Sequence, residues 1–134
     1  MKTWIVAYVT TAAVFAALDA VWLGYVAREF YRAQMGALLA PQPSMIAAVA
    51  FYALYVVGIV YFAVGPALAT GSWATALVSG ALLGLVAYGT WDLTNLAVVR
   101  DWPVALSLVD MAWGACLTAV AATAGFFVTR ALGA

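Results

Sequence analysis

WATALVSGALLGLVAYGTWDLTNLAVV, residues Trp73–Val99, contains a single charged side chain, Asp92. A bilayer core about 30 Å thick needs roughly 20 apolar residues at 1.5 Å rise per residue, and this stretch is long enough. A helix at the surface of a soluble protein keeps a polar face; this stretch has none, so it is apolar all round and suited to lipid. An acid at the centre of such a helix costs about 2.5–3.5 kcal/mol on insertion scales, so Asp92 needs a reason to be there.

Working outward, three more segments have the same character: Trp4–Val26, Met45–Val64 and Pro103–Val128. Two of them carry an acid of their own, Asp19 and Asp110. The chain has 134 residues, 69% hydrophobic and 7% charged, with a mean hydropathy of +1.10. Soluble domains carry about 25% charged residues, so the expectation is an all-α integral membrane four-helix bundle, a single domain over residues 1–134. Five basic residues balance five acidic ones, and no charge tract suggests nucleic acid as a partner. With no histidine and one cysteine, Cys116, the usual zinc, haem and iron–sulfur ligand sets are missing, and no metal or cofactor is expected. Cys116 lies among Ala, Leu and Gly and reads as packing. The apolar start resembles a secretory signal peptide, but it runs on past Asp19 to Val26 and is long enough to span.

The connections order the bundle. The first, Ala27 to Ser44, is long, with Arg28 and Arg32 on one face at i, i+4 and Pro41 and Pro43 at its end. It reads as a helical extension in the headgroup region, anchored by aromatic residues. The second is expected to turn at Gly65-Pro66 and Gly71-Ser72. The third, Arg100-Asp101-Trp102, is short, with Pro103 opening the last helix. Short connections make antiparallel neighbours. Arg28, Arg32 and Arg100 stand on one side against Lys2 and Arg130 on the other. That mildly favours loops one and three in the cytoplasm, though so small a bias permits insertion either way. The offsets of Asp19, Trp22, Leu23 and Val26 repeat in Asp92, Asn95, Leu96 and Val99, suggesting a parallel two-plus-two duplication.

Depth then singles out a layer. Asp19 lies nine residues before Arg28, Asp92 eight before Arg100, and Asp110 nine after Asp101. All three acids therefore sit about 12–14 Å below the same membrane face. Tyr52 and Tyr55 reach a similar depth, with Trp22, Tyr88, Trp91, Asn95 and Trp113. Asp19 and Trp22 share a face at i, i+3, as do Asp110 and Trp113. Tyr88, Asp92 and Asn95 form one stripe, with the pair Gly80 and Gly84 below it for close helix contact. These stripes are expected to face a shared cavity with Arg28, Arg32 and Arg100 at its rim. Simple hydrogen-bonding glue is worth only about 0.6 kcal/mol per polar residue, less than the insertion cost of an acid. Trp4, Trp73 and Trp102, at helix ends, read as interfacial belt residues. Asn95 and Thr94 read as hydrogen-bond partners for Asp92.

The runs Leu18–Gly24, Phe51–Tyr55, Tyr88–Leu96 and Asp110–Gly114 resemble a bacterial membrane-protein family known as domain of unknown function 2177. The element Tyr-Gly-x-x-Asp-Leu-Thr-Asn at residues 88–95 is its most specific part, and the resemblance covers nearly the whole chain. It implies a four-helix protein of the inner membrane and carries over no activity or catalytic residue.

Three functional classes stay open on the residues. The leading one is a membrane protein whose acid and aromatic cavity binds a small hydrophobic or cationic ligand or an ion, with proton-linked transport as its extension. The second is an accessory subunit of a larger membrane complex, associating through the small residues of the last helix, Gly114, Thr118, Ala121, Ala122 and Gly125; the same tight packing would suit a homodimer. The third is a lipid-modifying enzyme using the carboxylates as acid and base, or holding a hard cation on Asp and Asn oxygens. Besides these, the lipid bilayer itself is the expected partner.

Overall fold

Lipid offers the backbone no hydrogen-bond partners, so a spanning segment must satisfy its own, and here every one does so as a helix. The computed structural model describes residues 1–134. Four helices are long and apolar enough to cross a membrane: Lys2–Val26, Met45–Thr70, Trp73–Val98 and Val104–Ala131. The protein is an all-α, multi-pass membrane bundle of four spans with a short helix between the first and second.

The first span is α1 (Lys2–Val21) followed by a wider, π-helical turn, Trp22–Val26. Next comes the interfacial helix α2 (Arg28–Met35), ended by a 3₁₀ turn at Gly36–Leu38. The second span is composite: α3 (Met45–Ile59), a π-helical turn at Val60–Val64, and α4 (Gly65–Thr70). The third and fourth spans are α5 (Trp73–Val98) and α6 (Val104–Ala131). Serine side chains cap two of these helices, Ser44 accepting from the Ala47 N–H and Ser72 from the Thr75 N–H, each at 3.3 Å.

Gly65-Pro66 does not turn the chain. The helix continues to Thr70, because Pro66 falls in the first turn of α4, where a missing N–H costs little. A widened turn lies just before it, the kind of local adjustment that lets a spanning helix accommodate a proline. The reversal comes at Gly71, whose φ of 69° is left-handed. At the other end of α5, Trp102 is no belt residue: it is buried, and its Nε1–H donates to Ser107 Oγ at 3.0 Å. Trp4 and Trp73 are exposed near their helix ends.

Helix α6 is the central rod, packed against α5 on one side and α1 on the other. Glycines make the α5 contact possible. A Cβ on Gly84 would run into the Gly114 carbonyl, and one on Gly80 would lie 2.9 Å from the Thr118 carbonyl oxygen. The two backbones therefore touch. This contact consumes the face credited above with association, since Gly114, Thr118, Ala121, Ala122 and Gly125 are all buried inside the chain. Cys116 points outward, exposed.

Beyond the acids, on the side of the termini, the core is dense, built on Phe15, Ile59, Val64, Leu117 and Phe126. Toward loops one and three the packing loosens. The second span meets α5 through Val60–Val64, whereas α3 packs mainly on α1. That parting of α3 from α5 makes room for a cavity.

Candidate functional site: an acid-walled aromatic cavity

All five helices around the gap contribute to a cavity of about 560 Å³. The first span supplies Asp19 and Leu23, one helical turn apart; α6 supplies Asp110 and Trp113; α5 supplies Ala87, Tyr88 and Trp91. Phe51 comes from α3. The interfacial helix closes the membrane-surface side with Tyr31 and Met35, and Leu39 follows one turn later. Phe51 and Trp91, 47% and 46% exposed, stand where the wall meets lipid. Asp19 and Asp110 are the only charged residues of the lining, and no basic side chain belongs to it.

The two acids are joined by a circuit of aromatic donors. Asp19 accepts a hydrogen bond from the Tyr52 hydroxyl and another, 3.1 Å long, from Trp113 Nε1–H. Asp110 accepts the Tyr31 hydroxyl at 2.6 Å, and that hydroxyl accepts Trp22 Nε1–H at 3.1 Å. Trp22 in turn lies flat on Trp113, ring centres 4.3 Å apart and planes 6° from parallel. The widened turn Trp22–Val26 begins at this residue, at a place where such turns often serve a site. Burial first, and then the bond to Asp110, push the Tyr31 phenol well above its usual range. Tyr31 therefore stays protonated and keeps donating.

Asp92 differs from the other two. It is fully buried, lies behind the cavity wall, and faces Asp110 from α5. Neither of its carboxyl oxygens receives a hydrogen bond. Asn95 and Thr94 do not supply one: Thr94 turns back onto the Thr90 and Trp91 carbonyls of its own helix. Ser107 of α6 is committed to the Asp92 and Pro103 backbone carbonyls and to Trp102. Asp19 and Asp92 thus have unlike surroundings despite their matching sequence offsets.

The remaining residues singled out by sequence fall at the edges. Tyr55 lies deeper, in the core, sharing a 2.8 Å hydrogen bond with Thr118. Arg28, Arg32 and Arg100 are exposed and outside the lining, and Arg32 pairs with Glu29 at 3.8 Å. The surface side of the cavity is instead formed by Tyr31, Met35 and Leu39, none of which the sequence reading assigned to it. Their signal was present. They repeat every fourth residue, a spacing that puts Tyr31 and Met35 on one face of a helix that also carries Arg28, Glu29, Arg32 and Gln34.

A family model described as predicted membrane protein, domain of unknown function 2177, matches residues 4–127. The chain belongs to this family. Every acid and aromatic residue of the cavity lies inside the part of the chain that matches the domain of unknown function 2177 model. No curated protein and no solved structure matches the chain.

Proposed function

We propose that the protein takes an amphiphilic organic cation from the lipid into this cavity, and that binding is the first step of proton-linked transport. The observation that carries the reading is the wall itself: two carboxylates, no basic residue, and otherwise apolar and aromatic side chains. A cationic head placed between Asp19 and Asp110 gains from both charges. Rings such as Tyr88 and Trp113 add cation–π attraction of about 0.5–2 kcal/mol each. The hydrophobic body of the guest then lies toward Phe51 and Trp91. The parting of α3 from α5 supports lateral entry, which spares the guest a passage through water.

All-helical spans suit a bacterial inner membrane, since outer-membrane proteins of bacteria are β-barrels. The accessory-subunit and homodimer readings lose the surface that favoured them, because the small residues of α6 are covered by α5 and α1.

Filling the cavity without touching its acids tests the reading. Ala87 lines the wall, and Ala87→Phe puts a ring into the space the guest needs. Equilibrium dialysis of purified protein in detergent with tetraphenylphosphonium should show one saturable site in the wild type and at least about tenfold weaker binding in the variant, a loss of about 1.4 kcal/mol or more. Equal binding by both proteins would place the guest elsewhere and defeat the proposal.

A further inference from the structure

The carboxyl pair behind the wall has a chemistry of its own. Asp92 is fully buried with both oxygens unpartnered, and it faces Asp110. An ionised carboxylate only accepts hydrogen bonds, so two of them side by side give each other nothing. The neighbours do not relieve this. From α2, Tyr31 donates to Asp110 alone. From α1, Asp19 is itself an acid, and from α3 the Tyr52 hydroxyl is taken by Asp19. Tyr88 of α5 makes no side-chain hydrogen bond to either member of the pair, and the one ion pair in the chain is Arg32 with Glu29, at the surface. Two facing carboxyls of this kind are compatible only when a small cation lies between them. A proton fits without opening the helix contact, as it does where two carboxylates share one in other sites.

We propose that Asp92 and Asp110 share one proton, held as a carboxyl O–H donating to the facing carboxylate, and that a cation entering the cavity at Asp110 displaces it. The inference rests on the cavity reading given above and adds the coupling. The balance is simple. The O–H bond breaks, its electron pair stays on the carboxylate, and one proton leaves as one monovalent cation arrives, so the net charge of the site is unchanged. The proton departs through Asp110, the member of the pair that reaches the cavity. Exchange of one proton per guest makes the affinity rise tenfold for each pH unit over the range in which the guest-free pair holds its proton, and level off once the pair loses it unaided.

The experiment is a titration of purified protein with tetraphenylphosphonium in weak buffer containing a pH indicator, paired with infrared spectra of the same samples. The wild type should release close to one proton per tetraphenylphosphonium bound, and its affinity should climb with pH. In Asp92→Asn the amide donates to Asp110 permanently, so release should vanish and the affinity should no longer depend on pH. The guest-free wild type should show a protonated-carboxyl C=O band that tetraphenylphosphonium removes, sodium leaves unchanged, and Asp92→Asn lacks. Binding without proton release, or release that survives in Asp92→Asn, overturns the exchange while leaving the cavity reading intact. A wild-type spectrum with no such band overturns the shared proton whether or not tetraphenylphosphonium binds. A band present with no binding overturns the cavity reading and the exchange built on it.

Discussion

Asp110→Asn weakens tetraphenylphosphonium binding by about thirtyfold or more in equilibrium dialysis. A unit charge about 6–8 Å from another, at an effective dielectric of about 20, contributes about 2–3 kcal/mol, and 2 kcal/mol corresponds to about thirtyfold. The substitution is close to isosteric. Its amide oxygen can still accept the Tyr31 hydroxyl, and its amide N–H can donate to Asp92, so the network around α2 and α6 keeps its donors. What disappears is one of the two charges on the cavity wall. A change of less than about threefold, roughly 0.7 kcal/mol, would show that the carboxylate does not face the guest's cationic head.

Trp113→Ala is expected to be the most destabilising single change at the site, at about 3 kcal/mol, in the range for truncating a large aromatic side chain. Three roles end together: the stack on Trp22, the hydrogen bond to Asp19, and a wall of the cavity. Trp113→Phe keeps a ring against Trp22 but leaves the Asp19 oxygen without its N–H donor, a loss of about 1–2 kcal/mol. Unfolding by sodium dodecyl sulfate in mixed micelles should therefore rank wild type above Trp113→Phe above Trp113→Ala. If the alanine variant unfolds with the wild type, the aromatic circuit does not hold the helices together.

How much of this was legible in the sequence follows from what a helix in lipid fixes. Rise per residue is constant, so the depth of Asp19, Asp92 and Asp110 could be counted from the charged residues at the membrane surface. Period is nearly constant as well, so Asp110 with Trp113 and Asp19 with Trp22 could be placed on shared faces. Rotation about the helix axis is another matter. Whether Asp92 lines the cavity or sits behind it depends on how α5 is turned against α6, and that is set by the contact of Gly84 with the Gly114 carbonyl. The pair Gly80 and Gly84 announced a close contact but not its partner. Pro66 misled for a related reason, since a proline signals a break unless a widened turn precedes it, and Val60–Val64 has no composition that marks it as one. Tyr31 is one of the aromatic residues of the connection expected to anchor in the headgroups. Its hydroxyl reaches down to Asp110 because α2 packs against α6.

The sign of the charge the cavity accepts is the most direct test of the whole account. Tetraphenylphosphonium and tetraphenylborate have nearly the same size and shape and opposite charge, so apolar burial treats them alike and only the carboxylates tell them apart. Calorimetric titration of the purified wild-type protein in a neutral detergent should show saturable, one-to-one binding of the cation and none of the anion beyond its uptake by the micelles. Equal binding of the two ions, or a preference for the anion, would contradict the claim that Asp19 and Asp110 present their charge to a guest.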